Sequence, residues 1–327
     1  MARVLAVLGL QGQGASASGL ELLGLGARLA RATSGTITAL ALGEGAGAQG
    51  ERLLAHGADD VLWCADEALA RWPGEAGLRA LERAQQEVRP DLLLFSADSL
   101  GRDLAPRIAA RLDAGLITEA TELEFSEGRF VAARPVFGGK AIARMAATTE
   151  LTVVTVRAGA GSALEPDASR AAGGSVRELD AAIAPGAAWP TVLRREIEAS
   201  DGPRLEEAKT VVSGGRGVGG PEGFQTLQEL ADALKGAVGA SRAAVDEGWV
   251  PAAWQVGQTG KAVAPDLYIA VGISGASQHM VGCSRAKTLV AINTDPDALI
   301  FETARIGVVG DYRELVPALA RALRELA

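Results

Sequence analysis

Val211–Gly220, VVSGGRGVGG, sets Gly215, Gly217 and Gly220 at G-x-G-x-x-G spacing between an apolar run and a helical pattern, with Arg216 inside it. Glycines let main chain approach a ligand closely, and N–H groups at a following helix start suit a pyrophosphate, so the chemistry suggested is dinucleotide binding. A nicotinamide fingerprint also needs an acidic residue about 20 residues on, at the end of the second strand. The next strand-like segment, AVGASRAAVD, offers Asp246 about thirty residues after Gly215, and Ser241 and Arg242 interrupt it. Pro221 falls where the helix should begin. The spacing alone leaves a dinucleotide loop and a plain glycine-rich turn both open.

Other polar residues follow at ordered places. QVGQTGK (Gln255–Lys261) brackets Gln258 and Thr259 between Gly257 and Gly260, a tight loop with an amide and a hydroxyl close together. VGISGASQH (Val271–His279) runs from a strand through Ser274, Gly275 and Ala276 into a helical turn, where N–H groups suit a phosphate. His279 is one of two histidines; the other, His56, reads as structural. Lys261 reads as structural or solvated. Ser241 stands where a helix N-cap would, and Arg242 has Asp246 and Glu247 near enough for an ion pair. Asn293 and Asp311 close apolar runs, fit either for hydrogen bonds to a ribose or base or for helix capping. No Ser/His/Asp triad, cysteine nucleophile, H-E-x-x-H or P-loop spacing is present, and FGGK (Phe137–Lys140) reads as a hairpin turn. The residue types suit a carrier that needs no general base.

Composition narrows the partners. With 32 basic against 40 acidic residues the net charge is -8, and no Lys/Arg block could neutralise a run of phosphates, so nucleic acid is not an expected partner. Cys64 and Cys283 lie far apart without C-x-x-C spacing, which fits a reducing compartment and supports no metal site. MARVLAVLGLQGQGASAS resembles a signal peptide in composition, yet its apolar run is short, a helical pattern follows, and it reads as a first strand. No uninterrupted apolar stretch is long enough for membrane insertion. The expectation is a soluble protein, cytoplasmic or mitochondrial-matrix-like.

The elements that must position these residues fall into two halves, as 327 residues suggest. Strands at Arg3–Gly9, Thr36–Gly43, Asp60–Cys64 and Asp91–Ala97 alternate with helical stripes such as Leu22, Leu25 and Leu29, a βαβ rhythm that builds a parallel sheet covered on both faces. Leu116–Ala158 alternates and reads as antiparallel strands and turns. Residues 159–189, rich in Ala, Gly and Ser, read as a linker region with room for a strand within it, so the expected domains are 1–190 and 191–327. In the second half, strands at Thr210–Ser213, Leu267–Gly272, Thr288–Asn293 and Ile306–Gly310 end on Ser213, Ser274, Asn293 and Asp311. Ligands of doubly wound sheets bind beyond such ends. A closing helix places Leu315, Leu319 and Leu323 on one face. The fold class is α/β: two domains, each a mostly parallel sheet flanked by helices, the C-terminal one doubly wound.

SGGRG, VGASRA, QVGQTGK, VGISGASQH, AINTDPDALIF and GVVGD, in this order from about Glu207 to the end, resemble the FAD-binding domain of the electron transfer flavoprotein alpha subunit. The first half resembles that family in layout and in GRDLAPRIAARL. The resemblance implies FAD held by Arg216, Ser241, Arg242, Val256, Gly257, Gln258, Thr259, Ser274, Gly275, Ala276, Ser277, Gln278, His279, Asn293, Asp311 and Tyr312. It implies Arg242 over the flavin ring, where a cation favours the reduced, anionic ring, Thr259 hydrogen-bonding near N5, and His279 facing N1 and O2. It further implies a heterodimer with a beta subunit carrying AMP or a second FAD, electrons from flavoprotein dehydrogenases such as those acting on acyl-CoA, and delivery to a quinone oxidoreductase. Two rivals are a nicotinamide-dependent dehydrogenase subunit, which should show the missing acidic reader, and a scaffold subunit with a decayed nucleotide site.

Overall fold

Val4 to Leu8 are buried at five consecutive positions, as an inner strand of a parallel sheet with helices on both faces requires. The computed structural model describes residues 1–10, 14–71, 73–139, 141–184, 186, 189–194 and 204–326. It divides into two compact units, Met1–Val136 with Ile142–Ile197, and Phe137–Ala141 with Glu198–Ala327. Lys140, the last residue of the expected FGGK turn, lies outside the described residues.

In chain order the strands of the first half are β1 (Arg3–Gly9), β2 (Thr36–Leu42), β3 (Asp60–Cys64), β4 (Leu92–Ser96), β5 (Gly115–Ala120), β6 (Glu122–Ser126), β7 (Arg129–Val136), β8 (Ala141–Ala146), β9 (Thr152–Val156) and β10 (Ser175–Glu178). Seven of them form one sheet in the order β10-β3-β2-β1-β4-β9-β5, every pair parallel. Strand side chains alternate between faces. Val4, Ala6 and Leu8 therefore meet Leu22, Leu25 and Leu29 of helix Ala17–Ala32 on one face. Leu5 and Val7 meet Leu78 and Leu81 of helix Pro73–Val88, and Leu104 and Ile108 of helix Ser99–Arg111, on the other.

Two expectations change here. Only part of Leu116–Ala158 is antiparallel: β6 and β7 form a hairpin through Glu127 and Gly128, within a separate sheet ordered β6-β7-β8. β5 and β9 instead join the parallel sheet. All five residues of β9 are buried, because it lies inside that sheet between β4 and β5. The stretch 159–189 also does more than connect. It carries β10 at the sheet edge, and Leu179 is buried with its N–H on the Trp63 carbonyl at 2.7 Å.

The second unit holds β11 (Thr210–Gly214), β12 (Ala237–Ala240), β13 (Leu267–Val271), β14 (Thr288–Asn293) and β15 (Ile306–Val309), all parallel in the order β12-β11-β13-β14-β15. Helices Pro221–Ala233 and Tyr312–Leu326 cover one face, with Leu227, Leu230, Val316 and Ala320 against Val212, Ile269 and Val271. The buried row of the closing helix is Tyr312, Val316 and Ala320; of the expected leucine face, Leu315 and Leu323 pack partly buried beside it and Leu319 is exposed. Pro221 does not interrupt a helix. It occupies the start of Pro221–Ala233, where a missing N–H costs nothing. Among the described residues no helix is long and apolar enough to cross a membrane, and no cluster of His, Cys, Asp and Glu could hold a metal ion.

Candidate functional site

Strand order reverses between β11 and β13, and in open parallel sheets the ligand crevice lies outside the carboxyl ends at such a reversal. Two loops meet there main chain to main chain. The N–H of Gly215 donates to the Val271 carbonyl at 2.8 Å, and that of Gly217 to the Gly272 carbonyl at 3.0 Å. A Cβ on Gly217 would lie 2.9 Å from the Gly272 main chain, so both loops need glycine at the crossing. Arg216 stands exposed at the top of this turn.

At the end of β12, the Ser241 N–H donates to the Gly214 carbonyl at 2.9 Å and Ser241 is half-buried. Arg242 next to it is exposed, and its guanidinium pairs with Asp246 at 3.3 Å, with side chains 67% and 63% exposed. The residue that follows β12 is thus a serine, and Asp246 is turned to Arg242 on the helix Arg242–Asp246; the acidic ribose reader of a nicotinamide site is missing from this position.

The Val256–Thr259 loop is pinned on two sides. Val256 N–H donates to Ala240 at 2.8 Å, and Gln258 N–H donates to the Gln278 carbonyl at 2.7 Å. Val256 and Gly257 are buried, whereas Gln258 and Thr259 are exposed. The Gln255 side-chain amide donates to Thr259 Oγ1 at 2.9 Å, which leaves the threonine its own hydrogen to give. Lys261 is tied to Glu206 at 3.0 Å, in keeping with a structural role.

Beyond β13, Ser274 and Ala276 are exposed, Gly275 is buried, and helix Ser277–Cys283 begins. Ser277 is half-buried and Gln278 exposed. His279 is buried, at 7% exposure, and its Nε2 lies 3.0 Å from the hydroxyl of Tyr268 in β13. Burial pushes the imidazole down to about 4, with hydrogen bonding to the Val256 main chain acting the other way. An imidazole with this value is neutral at physiological pH. Tyr268 is the neighbour of His279 that sequence reading missed, because LYIAV reads simply as a core strand. The signal was there: a buried tyrosine hydroxyl needs a partner, and the chain has two tyrosines.

The remaining expected residues anchor the frame. Asn293 Nδ2 donates to the Ile273 carbonyl at 3.0 Å and its Oδ1 accepts from the Asp295 N–H at 3.1 Å, tying the ends of β13 and β14. Asp311 accepts from the Arg313 N–H at 2.9 Å at the start of the closing helix. Capping and a ligand contact are compatible for groups with spare lone pairs. Tyr312 is different: its ring is buried and its hydroxyl donates to the Val218 carbonyl at 2.8 Å, so only its main chain is left to reach a ligand.

Residues 6–184 match the family model described as the electron transfer flavoprotein domain, and residues 204–284 match that of the electron transfer flavoprotein FAD-binding domain. The electron transfer flavoprotein subunit alpha of Bacillus subtilis is 41% identical over 293 residues, covering 89% of each chain. The chain belongs to the electron transfer flavoprotein alpha-subunit family. The relative of the same name from Thermoanaerobacterium thermosaccharolyticum is 41% identical over 309 residues, 94% of this chain and 93% of its own length. The mitochondrial alpha subunit of Dictyostelium discoideum is 44% identical over 232 residues, 70% of this chain and 64% of its own.

A flavin, the cofactor of this family's second domain, fits what the chain presents. Ser241 Oγ and His279 Nδ1 are buried polar atoms with no protein partner at hydrogen-bond geometry, a costly state that a polar ligand relieves. Both belong to the segments that converge outside β11, β12 and β13.

Proposed function

We propose that this chain is the FAD-binding alpha subunit of a heterodimeric electron carrier. The observation that carries the reading is the convergence of the Gly215–Gly217 turn, Ser241 and Arg242, the Val256–Thr259 loop and the Ser274–His279 segment at one carboxyl edge. FAD, when bound, supplies one-electron exchange. The chain's own residues bind and tune it. Main-chain N–H groups of the Ser274–Ala276 loop suit the pyrophosphate, while the Gly215–Gly217 turn, whose glycine N–H groups are spent on Val271 and Gly272, braces that loop and brings Arg216 near as a cation. Thr259 has a hydrogen to donate toward the ring, and Arg242 adds positive charge that favours an anionic, reduced ring in a partly desolvated site. His279 contributes a neutral donor.

The family relatives are named as alpha subunits, which supports a beta partner here. We assign that partner the completion of the flavin site and a bound AMP or second FAD. Electrons would enter from flavoprotein dehydrogenases, such as those oxidising acyl-CoA, and leave to a quinone oxidoreductase. The test is an absorption spectrum of the chain co-purified with its beta subunit. One flavin on this subunit's site per pair is expected, and a pair without flavin bands overturns the reading.

A further inference from the structure

Tyr268 lies inside β13, fully buried, with His279 Nε2 at 3.0 Å from its hydroxyl and Ser213 and Cys283 as the other side chains around that oxygen. The hydroxyl has one hydrogen to give. Cys283 is a weak acceptor, and its own thiol donates to the His279 carbonyl at 3.8 Å. Ser213 is fully buried beside the phenol, and its rotating hydroxyl can turn its hydrogen toward the tyrosine oxygen. Imidazole nitrogen is the strongest acceptor of the three. Burial raises the phenol well above its usual value and lowers the imidazole, so neither gives up neutrality to the other.

We propose that Tyr268 is the positioning residue of His279: its hydroxyl donates to Nε2, which fixes the histidine proton on Nδ1 and offers Nδ1–H as a donor of set direction to the bound flavin. The proposal rests on the flavin reading above. Which ring nitrogen carries the proton is decided by the bond the other one makes. Nδ1 has no protein partner at hydrogen-bond geometry, the Val256 main chain being the protein group that also acts on the ring. The turn that carries the ring also holds the Val256–Thr259 loop, through the Gln278 carbonyl and Gln258 N–H at 2.7 Å. Tyr268, Gln278 and Gln258 therefore fix ring and loop against the same strand. A flavin reduced by one electron gains negative charge, and a donor already pointing at it needs no reorganisation.

Nitrogen-15 NMR of the histidine side chains reads the tautomer directly, in the full chain paired with its beta subunit, before and after removal of flavin. His279 is expected as the neutral Nδ1–H form in both samples. A His279 proton on Nε2 overturns the proposal whatever the flavin does. In Tyr268→Phe the tautomers should mix, FAD should stay bound, and the constant for adding the first electron should fall about threefold to tenfold, the worth of one hydrogen bond. An unchanged first potential in a flavin-loaded Tyr268→Phe overturns it too. Should the variant not fold, the wild-type tautomer still decides. A wild-type pair that holds no flavin defeats the functional reading instead, and the flavin-free spectrum separates the two failures.

Discussion

Gly282 and Gly257 pack main chain on main chain: a Cβ built on Gly282 would lie 2.3 Å from the Gly257 nitrogen and 2.5 Å from its Cα. The helix that carries His279 and the loop that carries Thr259 are thereby held at a separation only glycine permits. The neighbouring Val263 N–H bond to the Gly282 carbonyl, at 2.8 Å, fixes the same crossing.

Gly282→Ala should therefore loosen the loop rather than the sheet. Backbone cannot step aside as a flexible side chain can, and overpacking of this kind costs about 1–3 kcal/mol. Flavin affinity, followed by fluorescence on titration of the flavin-free pair, should fall at least about tenfold, the equivalent of about 1.4 kcal/mol. Unaltered affinity would show that the crossing does not set the loop.

Asn293 offers a test of the frame alone. Asn293→Ala loses two main-chain bonds and should destabilise the second unit by about 1–3 kcal/mol in urea unfolding. Asn293→Asp keeps the acceptor for Asp295 but sets a carboxylate against the Ile273 carbonyl. It should be no more stable than the alanine variant despite its shape, and a near-native Asn293→Asp would refute the assignment of Nδ2.

What the sequence made legible follows from locality. Strands buried on both faces announce themselves as apolar runs, so β1 to β4, β11, β13 and β14 were readable, as was β15 from its apolar residues although Ile306 and Val309 are exposed at the sheet edge, and the polar residues after these strands marked the crevice. Pairing is not local. Alternation in Leu116–Ala158 gave no sign that β9 would pair in parallel with β4, formed many residues earlier, and with β5 on its other side, and the hairpin β6–β7 dominated the pattern. A strand within 159–189 was expected, but not its bounds or its pairing with β3, because an edge strand with exposed Arg177 and Glu178 carries almost no apolar signal. At the site, residue types were legible and their partners were not. Asp246 as the partner of Arg242 was one of two open choices, whereas Tyr268 under His279 depends on which strand face meets which helix, a tertiary fact.

His279 ties stability to pH. Its folded-state value, about 4, lies below the ordinary 6.5, so the unfolded chain takes up a proton first as pH falls. The stability it contributes is whole above about pH 6.5 and is lost progressively from there toward pH 4. His279→Gln should flatten that part of a pH–stability curve measured by denaturant titration. An equal slope in the variant would place the acid sensitivity elsewhere.

The same residue should act on the cofactor without holding it. His279→Ala leaves the glycine crossings and Arg216 in place, so FAD should remain bound while the potential of the first reduction falls. Because the imidazole is neutral, the wild-type potential should show no ionisation near 6.5. A break in the potential–pH line there would mean that the ring is protonated in use.

Arg242 separates electrostatics from stability. Its pair with Asp246 is exposed on both sides, where such pairs contribute about 0–1 kcal/mol, so Arg242→Ala should leave the unfolding midpoint nearly unchanged. On the proposed reading the cation acts instead on the charge that reduction adds. The first potential should drop in Arg242→Ala and recover in part in Arg242→Lys, which restores charge without the planar fork. Asp246→Ala supplies the opposite sign: with its counter-charge removed, Arg242 is freer to face the ring, and the potential should rise or hold. A fall in Asp246→Ala equal to that in Arg242→Ala would show that the pair acts as a structural unit and that Arg242 has no separate influence on the flavin.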